Sequence, residues 1–163
     1  MTALMILIFS SMYGQNRDSI AVAVLRAPLS HSAHAMNGGV ALRLRGLYIH
    51  DGLLWFAFDA WNRSSVDFRP DAMRFWLQAR HAVRREAREE WRWLPVYGNG
   101  PQVLRSDSSA RFVYAVPARA PSGRQILRLE WVERNGDRRI RLYISAKRIV
   151  GARKLNTDRG KNR

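Results

Sequence analysis

The ionisable side chains of this sequence rarely have the spacings that catalysis or metal binding requires. His31 and His34 are three residues apart, but they lie in a proline-interrupted segment without a nearby carboxylate, so a solvated loop is favoured over a metal site. Glu86, Glu89 and Glu90 lie among arginines, which keep carboxylates ionised and make them poor general acids. Cysteine, a phosphate-binding glycine loop and zinc-ligand spacing are all absent from the sequence. The sequence therefore predicts a protein that is not an enzyme and has no cofactor or metal.

Arginine dominates the charge of the chain. The 163 residues contain 28 Lys and Arg against 13 Asp and Glu, which gives a formal net charge of +15. All but three of these cations are arginine, which binds carboxylates and phosphates bidentately and stacks on aromatic rings. Residues of the apolar types make up 47% of the chain, which excludes a mainly disordered protein. The length suits one domain, and the charge favours binding to polyanions.

Alternation of apolar and polar residues predicts a β-hairpin near the middle of the chain. Val40–His50 and Leu53–Trp61 are separated by Asp51-Gly52, a dipeptide that favours the tight turn of a hairpin. The alternation changes phase at Gly46, which predicts a β-bulge there. The second strand is apolar on both faces, so it is either central in a sheet or has one face against a partner.

Further strands follow at close spacing. They are predicted over Met73–Leu77, Phe112–Val116, Ile126–Glu133 and Ile140–Ile144, the last two joined by a turn at Asn135-Gly136. Ser145 is placed to begin one or two helical turns. Strands without intervening crossover helices predict an all-β, antiparallel sandwich or barrel.

Two segments leave alternatives open. Arg80–Trp93 has the composition of a helix but also alternates like an edge strand, and propensity favours the helix. The apolar segment Met1–Tyr13 is too short to span a membrane, so no transmembrane span is predicted. It suits either a packing helix or a secretory signal, although no Lys or Arg precedes Arg17, as a signal would require.

These patterns divide the chain into three parts. Residues 1–39 are predicted to form an apolar N-terminal helix and a linker, which includes the glycine-containing segment Ala27–Gly39. Residues 40–155 are predicted to form the β domain. Residues 156–163 are predicted to be a basic disordered tail.

The predicted binding surface combines outward-facing arginines with tryptophans. The arginines are expected to form a basic stripe on one sheet, and Trp91-Arg92-Trp93 adds either an aromatic platform or core residues. Two functions remain open for such a surface: contact with another protein, and non-specific binding of nucleic acid. The partner-binding residues predicted are Trp55, Trp61, Arg43, Arg45, Arg128, Arg139 and Arg141.

Segments from Leu44 to Leu155 resemble, in order and spacing, the C-terminal domain of the conjugative-transposon TraN proteins. These segments are RGLYIHDGLLWF (45–56), RSSVDFRP (63–70), RFWL (74–77), RREA (84–87), LPV (94–96), ERNGDR (133–138) and IVGAR (149–153). Upstream, LIFSSMYGQNR (7–17) resembles the short helix that precedes this domain in the family. The resemblance covers most of the chain.

The resemblance implies an immunoglobulin-like β-sandwich related to the outer-membrane core-complex subunit of type IV secretion systems. It implies a structural role in conjugative DNA transfer, by contact with other subunits of the channel or within a ring of identical copies. A location in the periplasm or at the outer membrane follows from the same resemblance. It also implies that Arg84–Trp93 is extended and that Met1–Gln15 is a packing helix.

Overall fold

Two β-sheets pack face to face in the computed structural model, which describes residues 16–30, 33–80 and 91–156. In chain order its elements are α1 (residues 16–26), β1 (Ala33–Asn37), β2 (Val40–His50), β3 (Leu53–Asn62), β4 (Pro70–Ala79), β5 (Trp91–Arg92), β6 (Tyr97–Gly98), β7 (Ser108–Pro117), β8 (Gln125–Glu133), β9 (Arg139–Ser145), α2 (Ala146–Val150) and β10 (Arg153–Lys154). The larger sheet has the order β1-β2-β3-β7-β6, with β10 paired to β2, and the smaller has the order β5-β4-β8-β9. All the pairs are antiparallel except β10 with β2. The predicted all-β antiparallel sandwich is confirmed.

The central hairpin of the larger sheet forms as its turn residues predict. Asp51 and Gly52 have φ values of 46° and 70°, and His50 pairs directly with Leu53. The register of β2 against β3 shifts between Leu44 and Gly46, which confirms the predicted bulge. A Cβ at Gly46 would lie 2.6 Å from the Tyr48 ring, so only glycine lets that ring fold back over the bulge.

One strand lies within the segment that the sequence analysis assigned to a linker. Residues Ala33–Asn37 form β1, which pairs with β2 through a turn at Gly38 and Gly39, whose φ values are 55° and 77°. Ala33 and Ala35 pack on the core, whereas His34 and Met36 are exposed. The linker prediction for these residues is wrong because alanine is a weak apolar signal. The sandwich therefore begins before residue 40.

The smaller sheet is built around β8, which pairs with β4 on one side and β9 on the other. The loop between β8 and β9 is longer than a two-residue turn: Glu133 donates its backbone N–H to the carbonyl of Arg138, and Asn135 adopts a φ of 54°. Of the ambiguous segment, residues 81–90 lie outside the described residues, and Trp91–Arg92 is a short edge strand on β4. The helix predicted for residues 1–15 and most of the predicted tail, residues 157–163, also lie outside them.

Aromatic side chains fill the space between the sheets. Phe56 and Phe58 on β3 contact Phe75 and Phe112, with ring centroids 5.1 and 5.4 Å apart. Phe68 packs edge-on against Trp131 at 4.7 Å. Buried aromatic rings of this size dominate the energy of a core, so the inward side of each strand is fixed by its packing. The alternate residues of each strand consequently face outward.

Arg138 connects the loop of the smaller sheet to the segment that leaves β3. Its guanidinium donates to the Glu133 carboxylate, to the Ser64 hydroxyl at 3.1 Å and to the Asp67 carbonyl at 2.6 Å, and it lies over the Phe68 ring at 5.3 Å. The hydrogen bond from Arg138 holds the pKa of Glu133 below its ordinary value. This contact ties the two sheets together at one end of the sandwich.

Candidate functional site

The predicted arginines lie on two opposite faces of the sandwich. Arg43 and Arg45 project from β2 on the outer face of the larger sheet, here called the six-strand face. Arg128, Arg139 and Arg141 project from β8 and β9 on the outer face of the smaller sheet, here called the four-strand face. The prediction of one stripe on one sheet is therefore wrong: each face carries its own group of arginines.

Trp55 does not lie on an open surface. It faces outward from β3 but is only 1% exposed, because α1 covers it. Ile20, Ala21 and Val24 of α1 form a second apolar cluster with Trp55 and its neighbours. The assignment of Trp55 to partner binding is corrected: in this structure it is part of the packing between the helix and the sheet.

Polar contacts also hold α1 on the six-strand face. The Tyr97 hydroxyl donates to the Asp18 carboxylate at 2.7 Å, and its ring lies 5.4 Å from that of Trp55. Burial and the hydrogen bond to Asp18 raise the pKa of Tyr97 to about 12. Arg17 and Arg45 each donate to a backbone carbonyl across the contact, those of Val96 and Leu25.

Beyond α1, the six-strand face carries a charged row centred on Asp59. The register places Arg43 of β2 and Arg111 of β7 on either side of Asp59, which is 4% exposed. Arg43 donates to the Asp59 carboxylate at 2.5 Å and Arg111 donates at 3.1 Å, while Arg45 Nε lies 3.7 Å away. One buried carboxylate thus holds two guanidinium groups by hydrogen bonds and lies near a third, and the row retains an excess of positive charge.

Trp61 lies next to this row and is only half-buried. It is two residues after Asp59 on β3, so both side chains face outward. The Arg43 guanidinium lies 4.9 Å from the centroid of the Trp61 ring, in a cation–π contact. Trp61, Arg43, Asp59 and Arg111 contribute to the lining of a shallow depression of about 300 Å³.

The four-strand face has a corresponding charged row centred on Glu130. The register aligns Glu130 of β8 with Arg74 of β4 and with Arg141 of β9. Glu130 is 7% exposed, accepts a hydrogen bond from Arg141 at 2.9 Å and lies 3.4 Å from Arg128 Nε. As on the other face, a single buried carboxylate orients arginines whose outer parts reach solvent.

The adjacent row of the four-strand face alternates arginine with aromatic rings. Pairing across the four strands places Arg92, Trp76, Arg128 and Tyr143 in that order. Arg128 donates to Gln78 at 2.9 Å, and its guanidinium lies 5.9 Å from the Trp76 ring centroid. Tyr143 is half exposed at the far end of the row.

Several residues of these surfaces were not predicted. Asp59 contacts its arginines only after the strands pair, and so does Glu130 with Arg141, whereas Arg128 is two residues from Glu130 on the same strand. Arg111, Trp76 and Tyr143 likewise join the two faces through strand register. The signal that could have found them is the alternation of each strand, which already indicated that these side chains share the outward side of their strands with the predicted arginines.

Two findings concern metal and membrane sites. Among residues 16–30, 33–80 and 91–156, no group of His, Asp and Glu side chains is arranged to hold a metal ion. None of the helices in that part of the chain has the length and apolar character needed to cross a bilayer.

Comparison with known proteins identifies one family. A family model described as a domain of unknown function (DUF4138) matches residues 15–154, which is most of the chain and includes α1 and both sheets. None of the curated proteins matches the sequence.

Proposed function

This chain belongs to the DUF4138 family, and from that premise we propose that it is a structural component of a conjugative DNA-transfer apparatus of the type IV secretion kind. It acts by binding other subunits of that apparatus and catalyses no reaction. The ordered resemblance of its segments to the TraN C-terminal domain supports this role. The same resemblance favours a location in the periplasm or at the outer membrane.

The observation that carries the proposal is the open end of the six-strand face. Trp61 is half-buried there beside the Arg43–Asp59–Arg111 row, whose side chains are already oriented. Tryptophan and arginine are the residues most enriched among those that dominate binding energy at protein interfaces. Because Asp59 fixes the arginines before binding, less conformational entropy is lost when a partner docks.

The physical role of each group follows from its surroundings. The Trp61 ring supplies apolar area to a partner's pocket, while Arg43 and Arg111 pair with acidic side chains at its rim. Such rim pairs set orientation and association rate more than affinity. The partner surface expected is therefore an apolar pocket bordered by carboxylates on a neighbouring subunit.

The test is complementation of a donor cell from which the gene has been deleted. The deletion should abolish plasmid or transposon transfer, and the wild-type gene should restore it. Trp61→Ala should lower the affinity of the protein for its copurifying channel subunits by about 10-fold or more, because a central interface tryptophan typically contributes that much. Transfer frequency should fall with it.

Trp91→Ala is the matched control, since Trp91 is an exposed tryptophan on the edge of the other sheet. It should leave copurification and transfer unchanged. Normal transfer by the deletion strain would overturn the assembly role. If the Trp61→Ala protein retained all its partners, the interface would instead lie on another part of the molecule.

A further inference from the structure

The four-strand face is a second surface with properties of its own. It is formed by the outward side chains of β5, β4, β8 and β9, and no described element packs over it in the way that α1 packs on the six-strand face. Among the described residues, five arginines project from it. Glu130 is buried between them, and Asp71 Oδ2 lies 3.6 Å from Arg74 Nη2. These arginines are Arg74, Arg92, Arg128, Arg139 and Arg141.

The positive charge of this face is concentrated toward solvent. Glu130 is buried, and it pairs with the inner part of the cluster at Arg128 and Arg141. Arg139 and Arg92 are exposed, and the Arg141 side chain is 48% exposed. An anion approaching these three arginines therefore meets guanidinium groups, while Glu130 lies beneath them.

Aromatic rings lie among these cations at the level of the sheet. Tyr143 is 50% exposed, and it is the cross-strand neighbour of Arg128 and lies two residues after Arg141 on β9. Trp76 flanks Arg128 on the other side. An open sheet that presents aromatic rings between cations is the arrangement on which several folds stack the bases of a single strand.

The spacing of the outer strand also suits a linear polyanion. Arg139 and Arg141 are two residues apart on one side of β9, which separates their Cα atoms by about 7 Å. That distance is comparable with the separation of successive phosphates along an extended single strand. Arginine forms bidentate contacts with phosphate, so each of the two can hold one phosphate group.

We infer that the four-strand face binds single-stranded nucleic acid, with Arg139, Arg141 and Arg92 contacting phosphates and Tyr143 stacking on a base. Binding is independent of sequence, since phosphate contacts and base stacking do not distinguish the bases. This activity is separate from the assembly role proposed for the six-strand face and stands or falls independently of it.

A nucleic acid fits this surface better than an acidic protein segment does. Carboxylates on a peptide would satisfy the arginines, but they would leave the Tyr143 ring without a stacking partner. A single strand carries a flat base beside every phosphate and so uses both features in any register, whereas an acidic peptide does so only where an aromatic side chain lies beside its carboxylates. The two classes consequently make different predictions for Tyr143, and this difference is the basis of the test.

The test measures binding of the full chain to fluorescein-labelled oligothymidylate of about 15 nucleotides by fluorescence anisotropy across a series of salt concentrations. Arg139→Glu should weaken binding by about 10-fold and lower the salt slope by about 0.7 for each phosphate that the variant no longer holds. Arg105→Glu is the matched control: Arg105 is exposed on the segment before β7, and the change alters net charge equally. It should weaken binding by no more than about 2-fold, since distant exposed charges are screened.

Tyr143→Ala should weaken binding by about 5-fold or more, because stacking on an aromatic side chain contributes strongly for each base. Tyr143→Phe keeps the ring and should bind like the wild type. Circular dichroism and thermal unfolding of every variant check that the sandwich is intact.

Three results would overturn the inference. Equal losses of affinity in Arg139→Glu and Arg105→Glu would show that net charge alone attracts the oligonucleotide. Unchanged binding by Tyr143→Ala would show that no base stacks on Tyr143. If polyglutamate at equal charge concentration displaced the labelled strand as effectively as unlabelled oligothymidylate does, the face would be assigned to an acidic protein instead.

Discussion

The two outer faces of the sandwich share one arrangement of charged side chains. On each face a carboxylate in the middle of a central strand is buried beneath arginines. Those around Asp59 come from the neighbouring strands, whereas Glu130 is contacted by Arg141 of β9 and by Arg128 of its own strand. Among the described residues, Asp59 has three guanidinium groups within 4 Å, whereas Glu130 has two. The faces differ in what lies beside the charged row.

The difference teaches how outward apolar residues decide which part of a sheet is covered. On β3 the outward residues Trp55 and Ala57 precede Asp59, and α1 packs over that end. On the four-strand face the corresponding positions of β9 are Arg139, Arg141 and Tyr143, which are all exposed. Covering an apolar end stabilises the fold, while the uncovered polar surfaces stay accessible to a partner.

The largest effect on stability is expected at the end of the six-strand face that α1 covers, in comparison with its uncovered end. Trp55→Ala should lower the free energy of unfolding by about 3–5 kcal/mol, because it removes a fully buried ring and leaves a cavity beneath α1. Trp61→Ala on the same strand should cost about 1 kcal/mol or less, since that ring already contacts solvent. Urea denaturation followed by circular dichroism measures both values.

A matched substitution of Phe56, which faces the core between the sheets, provides the reference for full burial. Phe56→Ala and Trp55→Ala should then have similar costs. Equal costs for Trp55→Ala and Trp61→Ala would contradict the division of the six-strand face into a covered and an open end.

An intermediate effect is expected from neutralising the two central carboxylates. Asp59→Asn should cost about 2–4 kcal/mol and Glu130→Gln about 1–2 kcal/mol, because removing a buried carboxylate leaves its arginines close together and unpaired. Asp59→Asn should cost more since, in the described part of the chain, Asp59 contacts one guanidinium more than Glu130 does. Chemical denaturation of the two isosteric variants in low salt measures the difference.

Raising the salt concentration provides the control, because screening weakens the repulsion between the released arginines. Both costs should therefore shrink in high salt. If Glu130→Gln were the more damaging substitution, the arginines of the four-strand face would be structural, and that face would be less suited to binding.

Local patterns predicted much of the fold. The β2–β3 hairpin, its bulge and the β8–β9 pair were each indicated by alternation together with a glycine or asparagine at the turn or bulge, such as Gly46 or Asn135. Strand β1 was missed because its inward residues are alanines, although the Gly38-Gly39 pair before β2 is itself a hairpin signal. The outward apolar residues of β3 left two explanations open: a central strand, or a face packed against a partner. The strand is central in its sheet, and α1 of the same chain covers Trp55.

The candidate surfaces were less predictable, because they depend on which strands become neighbours. Alternation correctly predicted that Arg43 and Arg128 face outward, but it does not indicate which sheet contains each strand. Strand β3 pairs with β7 rather than with β4, the next strand in the sequence. That long-range choice separates the arginines of β2 from those of β8 and β9, and no local pattern encodes it.

The smallest effect is expected at the contact between α1 and β6. Tyr97→Phe keeps the ring against Trp55 but removes the hydroxyl that donates to Asp18, which should cost about 1 kcal/mol at neutral pH. In the wild type the pKa of Tyr97 is raised to about 12, from about 10 in the unfolded chain, so folding favours the protonated hydroxyl.

The contribution of this hydroxyl to stability is complete below pH 10. It is lost as the pH rises through about 12, because there the folded protein must release the same proton. The unfolding free energy of wild type should therefore fall more steeply between these pH values than that of Tyr97→Phe, as measured by denaturation at each pH. Parallel pH profiles for the two proteins would mean that the hydroxyl of Tyr97 does not help to hold α1 on the sheet.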